Sequence, residues 1–281
     1  GTDEQVEVIR GIQARLGLSE ADLQCGVHPP SDKTTAERML KEGEAPTALR
    51  HNCSGKHTGM LALAQLLGAD KARYLEPDSP VQQMILGAFA EMCGLDTGEV
   101  VVGTDGCSAP NFAVPLRNAA LGLARLAESA GEQGRAGAGE SVERRPSPRL
   151  IIACAQIVAA MTAHPEMVGG PGRFDTRLMQ AARGKLVAKG GAEGYQGAAI
   201  LPGALGSGST ALGLAIKIAD GDQGNRARAL VTVEVLRKLG ALDESQLAAL
   251  AASGPGPLKN WRGLEVGEIR PCFAFNRARV D

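Results

Sequence analysis

Glycine is the feature of this sequence that most constrains the fold. The chain has 37 glycines among 281 residues and only 3% aromatic residues, and this glycine content is about twice the usual ~7%. The core must therefore be built from Leu, Ala, Val and Ile side chains. Glycines such as Gly17 and Gly94 follow helix-like segments, where they end a helix well, and others form turns next to strand-like segments. This pattern predicts an α+β fold in which a largely antiparallel sheet is flanked by helices.

Apolar spacing and capping signals predict the helices. Ser79 and Pro80 are a strong helix start, with Ser as N-cap and Pro at the first helical position, and this helix should run to about Cys93. The other predicted helices lie at 3–17, 33–43, 59–67, 116–128, 149–163, 175–183, 227–239 and from Asp243 to about 252.

Four segments are predicted to be strands. Residues 100–102 form a short apolar run, which we expect to be a buried strand that leads into the turn at 103–107. The apolar residues from Leu212 to Ile218 alternate with small or polar residues, which predicts a half-buried strand. Residues 194–201 and 264–275 also have strand-like composition.

Charge and cysteine usage exclude several classes of protein. The formal net charge is −1, which argues against nucleic-acid binding through bulk positive charge. The longest apolar run, Leu150 to Met161, is shorter than the ~18 residues that a membrane helix needs. The six cysteines are sparse and unclustered, which is unlike a secreted disulfide framework. We therefore expect a cytoplasmic protein that binds neither nucleic acid nor membrane.

Residues 129–149 interrupt the apolar pattern. This segment is rich in Gly, Ser, Glu, Arg and Pro and has no apolar period, so it cannot bury enough surface to order itself. We predict a flexible surface loop that joins two helices within a single domain of residues 1–281.

The densest group of reactive side chains lies at residues 50–57, Arg-His-Asn-Cys-Ser-Gly-Lys-His. This segment carries a thiol, a hydroxyl, an amine and two imidazoles in front of an apolar helix. If the helix begins near Ser54, its free N–H groups favour an anion or a thiolate there. An N-cap Ser54 with solvated neighbours is the alternative interpretation.

Three further positions carry chemistry that the residue types alone leave open. The turn 103–107 follows a strand and combines Asp105 with Cys107, although an ordinary Asp-Gly turn beside a buried thiol would look the same. Lys189 precedes two glycines and is a candidate base or a surface lysine in a turn. Arg173 and Asp175 are expected to form a local ion pair.

At these positions the sequence resembles a known family. Six segments occur in order: Asn-Cys-Ser-Gly-Lys-His (52–57), Gly-Thr-Asp-Gly-Cys (103–107), His-Pro-Glu-Met-Val (164–168), Gly-Arg-Phe-Asp-Thr (172–176), Lys-Gly-Gly-Ala-Glu-Gly (189–194) and Val-Gly-Glu-Ile-Arg-Pro (266–271). Together they closely resemble the bacterial asparaginase II family, the inducible Rhizobium-type L-asparaginases, over essentially the whole chain. The resemblance implies a fold like that of serine β-lactamases and glutaminases, with a mixed sheet flanked by helices.

The resemblance also implies an activity and a set of site residues. Such enzymes hydrolyse L-asparagine to L-aspartate and ammonia through a serine that a nearby lysine activates. The second catalytic lysine of the family matches Lys189, and Asp105 matches a carboxylate that holds the α-amino group of the substrate. His57 is close enough in sequence to join that substrate-binding site.

A metal ion and an oligomeric state follow from the same resemblance. The zinc ligands of the family fall on Cys53, Lys56 and Cys107. A fourth position open to water or substrate would suit a zinc ion that helps to position substrate. A homodimer is the oligomeric state that the resemblance suggests.

The serine nucleophile has no counterpart in these 281 residues. No serine in the chain is followed by a lysine three residues later, and the Ser-x-x-Lys pair of the family lies upstream of the position that matches Gly1. The N-terminal strands of the family are also absent. We therefore expect residues 1–281 to keep the metal site and Lys189 but to need a separate N-terminal segment for turnover.

Two other functions remain open at this point. The Cys-Lys-Cys site would be structural in a zinc-binding module without catalysis, in which four protein ligands close the metal site. Alternatively, Cys53 and His57 would form the nucleophile and base of a thiol hydrolase, which zinc would inhibit.

Overall fold

The protein is described from a computed structural model, which describes residues 1–131 and 145–275. Its helices are α1 (Asp3–Leu16), α2 (Lys33–Glu42), α3 (Ser54–Leu67), α4 (Pro80–Cys93), α5 (Leu116–Glu128), α6 (Pro148–Ala163), α7 (Pro165–Gly169), α8 (Phe174–Ala182), α9 (Arg228–Leu239) and α10 (Glu244–Ala249). Its strands are β1 (Val101–Thr104), β2 (Pro110–Ala113), β3 (Leu186–Gly190), β4 (Tyr195–Ile200), β5 (Leu212–Lys217), β6 (Gly256–Lys259) and β7 (Glu265–Ile269).

The strands pair in three antiparallel sheets within the described ranges: β1 with β2, β3–β4–β5, and β6 with β7. The predicted α+β class with antiparallel pairing and flanking helices is confirmed. The strands do not join into one sheet, which the sequence pattern alone does not reveal.

Helix ends follow the capping signals of the sequence. Ser79 accepts a hydrogen bond from the backbone N–H of Gln82, with Pro80 at the first position of α4. Gly17 and Gly94 adopt left-handed conformations with φ of 63° and 67°, and they end α1 and α4. These boundaries were predicted because each is set by local backbone chemistry.

The apolar residues form two cores. The first surrounds β3–β4–β5 and includes side chains from α5, α6, α8 and α9. The second lies among α1, α3 and the start of α4, and it includes the fully buried Tyr74 and the thiol of Cys107. Leu, Ala, Val and Ile make up much of both cores, as the composition predicted.

Two predictions about strands were wrong. The segment at residues 100–102 was expected to be a buried strand, but Val101 and Val102 of β1 are 67% and 45% exposed. Among the described strands, β1 pairs only with β2, in a two-stranded sheet. The region around Lys189 was treated as a turn, whereas residues 186–190 form β3 at the edge of the three-stranded sheet. The run Leu-Val-Ala-Lys-Gly is short and ends in glycine, which hides its strand character.

Most of the loop predicted at residues 129–149 lies outside the described residues. The helices on either side are as predicted, since α5 ends at Glu128 and α6 begins at Pro148. Within the described part of the chain, none of the helices has the length and apolar content that a bilayer span requires.

Candidate functional site

Two short segments far apart in sequence supply the candidate site. Cys53 is the N-cap of α3, and Lys56 follows three residues later on the same side of the helix. The turn between β1 and β2 supplies Asp105 and Cys107. It is held by the backbone N–H of Asp105 donating to the carbonyl of Ala109 at 2.8 Å.

These four side chains form a cluster, hereafter the α3–β1 cluster. The Sγ atoms of Cys53 and Cys107 and a carboxylate oxygen of Asp105 all lie within 4.8 Å of one another. The Nζ of Lys56 lies 3.1 Å from Oδ2 of Asp105, and the Sγ of Cys107 lies 3.4 Å from the same oxygen. Cys107 is 2% exposed, whereas the side chains of Lys56 and Asp105 are 40% and 37% exposed. The cluster is therefore closed on its cysteine side and open to solvent on its Lys56–Asp105 side.

Burial and charge shift the pKa values within the cluster. Burial raises the pKa of the Cys53 thiol to about 11, although the nearby Lys56 charge opposes this shift. Burial also opposes charge on Lys56, but the interactions with Cys107, Cys53 and Asp105 are together stronger and hold the pKa of that amine above its ordinary value. At Asp105 burial opposes the charge, but the hydrogen bonds from Lys56 and from the backbone N–H of Gly106, with the Lys56 charge, together outweigh it and lower the pKa of the carboxyl group. Without a metal ion, the cluster thus contains a protonated Cys53 thiol and a Lys56–Asp105 ion pair.

His57 faces the core and not the open side of the cluster. Its side chain is fully buried, and its Nδ1 lies 2.6 Å from the hydroxyl of Tyr74. That hydroxyl accepts a hydrogen bond from the backbone N–H of Gln24 at 2.8 Å, so its own proton is free to be donated to His57. Burial lowers the pKa of His57 to about 4, so the imidazole is neutral at pH 7. The predicted contact of His57 with substrate stays a prediction.

Lys189 is not in contact with the cluster. It is an exposed residue of β3, and its Nζ donates to the carbonyl oxygen of Gly190 at 2.5 Å. Among the described residues, no hydrogen bond or ion pair joins Lys189 to Cys53, Lys56, Asp105 or Cys107.

A buried polar network holds the end of β3 beside Lys189. The backbone N–H of Gly190 donates to Oδ2 of Asp175 at 2.7 Å, and Oδ1 of Asp175 accepts from Gln196 at 3.1 Å. Arg228 lies 3.8 Å from Asp175 and donates to Gln196. A methyl group on Gly190 would lie 1.9 Å from the Arg228 guanidinium, so a larger residue there would displace Arg228 from this network.

This network corrects one expectation and adds residues that the sequence did not reveal. The carboxylate of Asp175 pairs with Arg228, and the local ion pair expected with Arg173 does not form. The motif at residues 172–176 pointed to Asp175, but no local signal marks Gln196 or Arg228.

The donor atoms of the α3–β1 cluster fit a zinc ion. Zinc prefers thiolate, nitrogen and carboxylate ligands in groups of three or four, and the cluster offers two thiols, one carboxylate and one amine. The predicted ligands Cys53, Lys56 and Cys107 are therefore brought together. Asp105 is a further donor at the same point, which the sequence assigned only to substrate binding.

Comparison with known proteins identifies the family of the chain. The family model described as L-asparaginase II matches residues 1–271, nearly the whole chain. No curated protein gives a significant match. The match includes every residue of the α3–β1 cluster and Lys189, so the chain belongs to the L-asparaginase II family.

Proposed function

We propose that this protein hydrolyses the side-chain amide of L-asparagine to give L-aspartate and ammonia. The observation that carries the proposal is the α3–β1 cluster: a chain of the L-asparaginase II family brings two thiols, a carboxylate and an amine together at a point open to solvent.

Zinc is the metal that we propose for this cluster, held by Cys53, Lys56 and Cys107. When bound, it would supply a Lewis acid that polarises and orients an oxygen of the substrate. Lys56 must lose its proton to become a ligand, and this loss ends its ion pair with Asp105. The Asp105 carboxylate is then free to accept hydrogen bonds from the α-ammonium group of L-asparagine.

The chemical step that we propose is acyl transfer to a serine, with Lys189 moving the proton. A lysine amine that acts as a base must be neutral when it accepts the proton of the serine hydroxyl. No Ser-x-x-Lys pair occurs in residues 1–281, so the nucleophile of this mechanism would come from a segment upstream of Gly1. Residues 1–281 alone would then bind metal without turning over.

We further propose a homodimer in a reducing, cytoplasmic compartment. All six cysteines are free, and the two in the cluster must stay reduced to hold a metal ion. The β6–β7 hairpin carries the exposed apolar side chains Leu258, Trp261, Leu264 and Val266, which would suit contact with a second copy.

The two alternative functions differ in their support. The cluster offers four protein donors, which favours a closed structural zinc site as the second candidate. The thiol hydrolase has less support, because the His57 imidazole is turned toward Tyr74 and, among the described residues, has no hydrogen bond with the Cys53 thiol.

Ammonia release tests the proposal. We would measure it with L-asparagine and L-glutamine, first for residues 1–281 and then after adding a polypeptide that covers the upstream segment of the family. Release from L-asparagine only after the addition is the expected result. Release by residues 1–281 alone would place the nucleophile within this chain. No release in either case, with zinc bound by four protein ligands, would favour the structural zinc module.

A further inference from the structure

A second polar region lies away from the α3–β1 cluster, at the start of helices α8 and α9. An open pocket of about 380 Å³ is bounded by the first turn of α8, the first turn of α9 and the segment 252–254. Four arginines are among the residues that line it: Arg173, Arg177, Arg226 and Arg228.

Three of these arginines have no carboxylate partner in the described part of the chain. Arg228 is the exception, at 3.8 Å from Asp175. Arg177 donates to the neutral hydroxyl of Ser253 at 2.9 Å, and its Nε is buried without a hydrogen-bond partner. Arg173 and Arg226 are exposed and form no side-chain hydrogen bond or ion pair with the described residues.

The carboxylates of Asp175 and Asp222 are held by other hydrogen bonds. Asp175 also accepts hydrogen bonds from Gly190 and Gln196. Asp222 accepts from the backbone N–H groups of Ala227 and Arg228 at 2.7 and 3.0 Å. Neither carboxylate forms an ion pair with Arg173, Arg177 or Arg226 in the described ranges.

The first turn of α8 adds to the attraction for an anion. Gly172, Arg173 and Phe174 line the pocket, and no side chain caps this helix end. The free N–H groups and the positive end of the helix dipole favour negative charge there.

We propose that this pocket binds a phosphate group, either as inorganic phosphate or on a small phosphate monoester. The planar guanidinium group matches phosphate oxygens in pairs of hydrogen bonds, and the negative charge of phosphate would pair with the three arginines that have no carboxylate partner among the described residues. The proposal goes beyond L-asparagine hydrolysis and does not depend on it.

Calorimetric titration of metal-free residues 1–281 at constant ionic strength tests this proposal. Inorganic phosphate, glycerol 3-phosphate and L-aspartate are the three probes. We expect one molecule of inorganic phosphate or glycerol 3-phosphate to bind per chain. A double variant, Arg173→Gln with Arg226→Gln, should weaken that binding at least about tenfold. Arg10→Gln, which removes an exposed guanidinium group on α1, is the matched control and should bind as the unaltered protein does.

The variants distinguish a loss of phosphate binding from a loss of folding. The double variant removes no internal partner, so its melting temperature in phosphate-free buffer should equal that of the unaltered protein. Arg177→Gln, tested alone, should also weaken phosphate binding. The proposal is overturned if neither phosphate probe binds, if the double variant binds them as tightly as the unaltered protein, or if only L-aspartate binds through these arginines. Tighter binding of glycerol 3-phosphate than of inorganic phosphate would identify a monoester as the ligand.

Discussion

At the residue scale, the α3–β1 cluster depends on two independent positions of the backbone. Cys53 and Lys56 are three residues apart at the start of α3, so the helix alone sets their spacing. Asp105 and Cys107 occupy a short turn whose geometry the Asp105 side chain helps to fix, since its Oδ1 accepts from the backbone N–H of Gly106 at 2.8 Å. Rigid supports of this kind keep donor atoms together before a ligand arrives.

Replacement of either cysteine should abolish stoichiometric zinc binding. Cys53→Ser or Cys107→Ser removes one thiolate from a site with four candidate donors, and a serine hydroxyl is a much weaker zinc ligand. Metal content measured after zinc loading and gel filtration checks this expectation. Cys272→Ser, which changes an exposed cysteine, is the control and should keep one zinc per chain. Full zinc content in both cluster variants would refute the ligand assignment.

The sequence predicted only part of this residue-level picture. The four members of the cluster stood in two conspicuous segments, but their meeting was inferred from a family resemblance and not from spacing. Asp105 is also a possible metal donor because of the relative position of α3 and the β1–β2 turn. Tertiary packing sets this position, so the sequence does not show it. The partners of Asp175 were missed for the same reason, because Gln196 and Arg228 come from separate elements.

At the element scale, helix α5 packs unusually close to strand β5. A methyl group at Gly213 would lie 1.8 Å from the backbone carbonyl oxygen of Ala120. Backbone atoms cannot move aside as a flexible side chain can, so the contact between α5 and the three-stranded sheet requires glycine at this position.

Gly213→Ala should therefore destabilise the protein by about 3 kcal/mol, the upper part of the range for overpacking. Gly267→Ala is the matched control, since this glycine also lies in a strand but has no atom within 4 Å of the added methyl group. The control should leave the free energy of unfolding nearly unchanged. Urea unfolding of the two variants checks the prediction, and equal stabilities would show that α5 does not approach β5 so closely.

Helix α2 gives a pH-dependent prediction. The carboxylate of Asp32 caps α2 by accepting from the backbone N–H and hydroxyl of Thr35 at 2.8 and 2.7 Å. The backbone hydrogen bond, followed by the hydroxyl, lowers the pKa of Asp32 below its ordinary value of 3.8. The folded state thus favours the ionised form, so this stabilisation is present above about pH 4 and is lost as the pH falls through the folded-state pKa.

Asp32→Ala should cost about 1 kcal/mol of unfolding free energy at pH 7, and the difference from the unaltered protein should shrink at pH 3. Asp32→Asn keeps the capping oxygen without the charge, so it should lose less stability at pH 7. Urea unfolding at the two pH values checks this prediction. A cost of Asp32→Ala that is the same at both values would mean that the charge of the cap does not contribute.

Helix bounds that local capping residues set were predicted well. The burial and pairing of strands, which depend on tertiary contacts, were not. The bounds of α1 and α4 followed from Gly17, Ser79, Pro80 and Gly94, which act on the backbone directly. The exposure of β1 could not be predicted, because an apolar run of three residues does not tell which layers cover it. Strand β3 was missed because its edge position depends on pairing with β4, a contact of tertiary structure.

At the scale of the whole molecule, the proposed metal site and the proposed catalytic lysine lie beside different apolar cores. The α3–β1 cluster lies at the edge of the core formed by α1, α3 and α4, whereas Lys189 lies in the three-stranded sheet. The two cores are joined between α4 and α5, where Arg125 donates to the backbone carbonyls of Glu91 and Met92 at 2.6 and 3.0 Å. Gln5 of α1 also donates to the carbonyl of Glu166 at 3.3 Å. We propose that the α3–β1 cluster and Lys189 serve one amide-hydrolysing site.

Ammonia release from L-asparagine by Lys189→Ala is the decisive measurement, made in the form of the protein that turns over. The matched control is Lys217→Ala, because Lys217 lies in the same sheet and its Nζ donates to the carbonyl of the next residue at 2.7 Å, as the Nζ of Lys189 does. We predict that Lys189→Ala loses at least about 100-fold in kcat, as expected when a general base is removed, and keeps its bound zinc, whereas Lys217→Ala keeps its full rate. Normal turnover by Lys189→Ala would contradict the account and would leave the α3–β1 cluster without the catalytic lysine that the mechanism assigns to it.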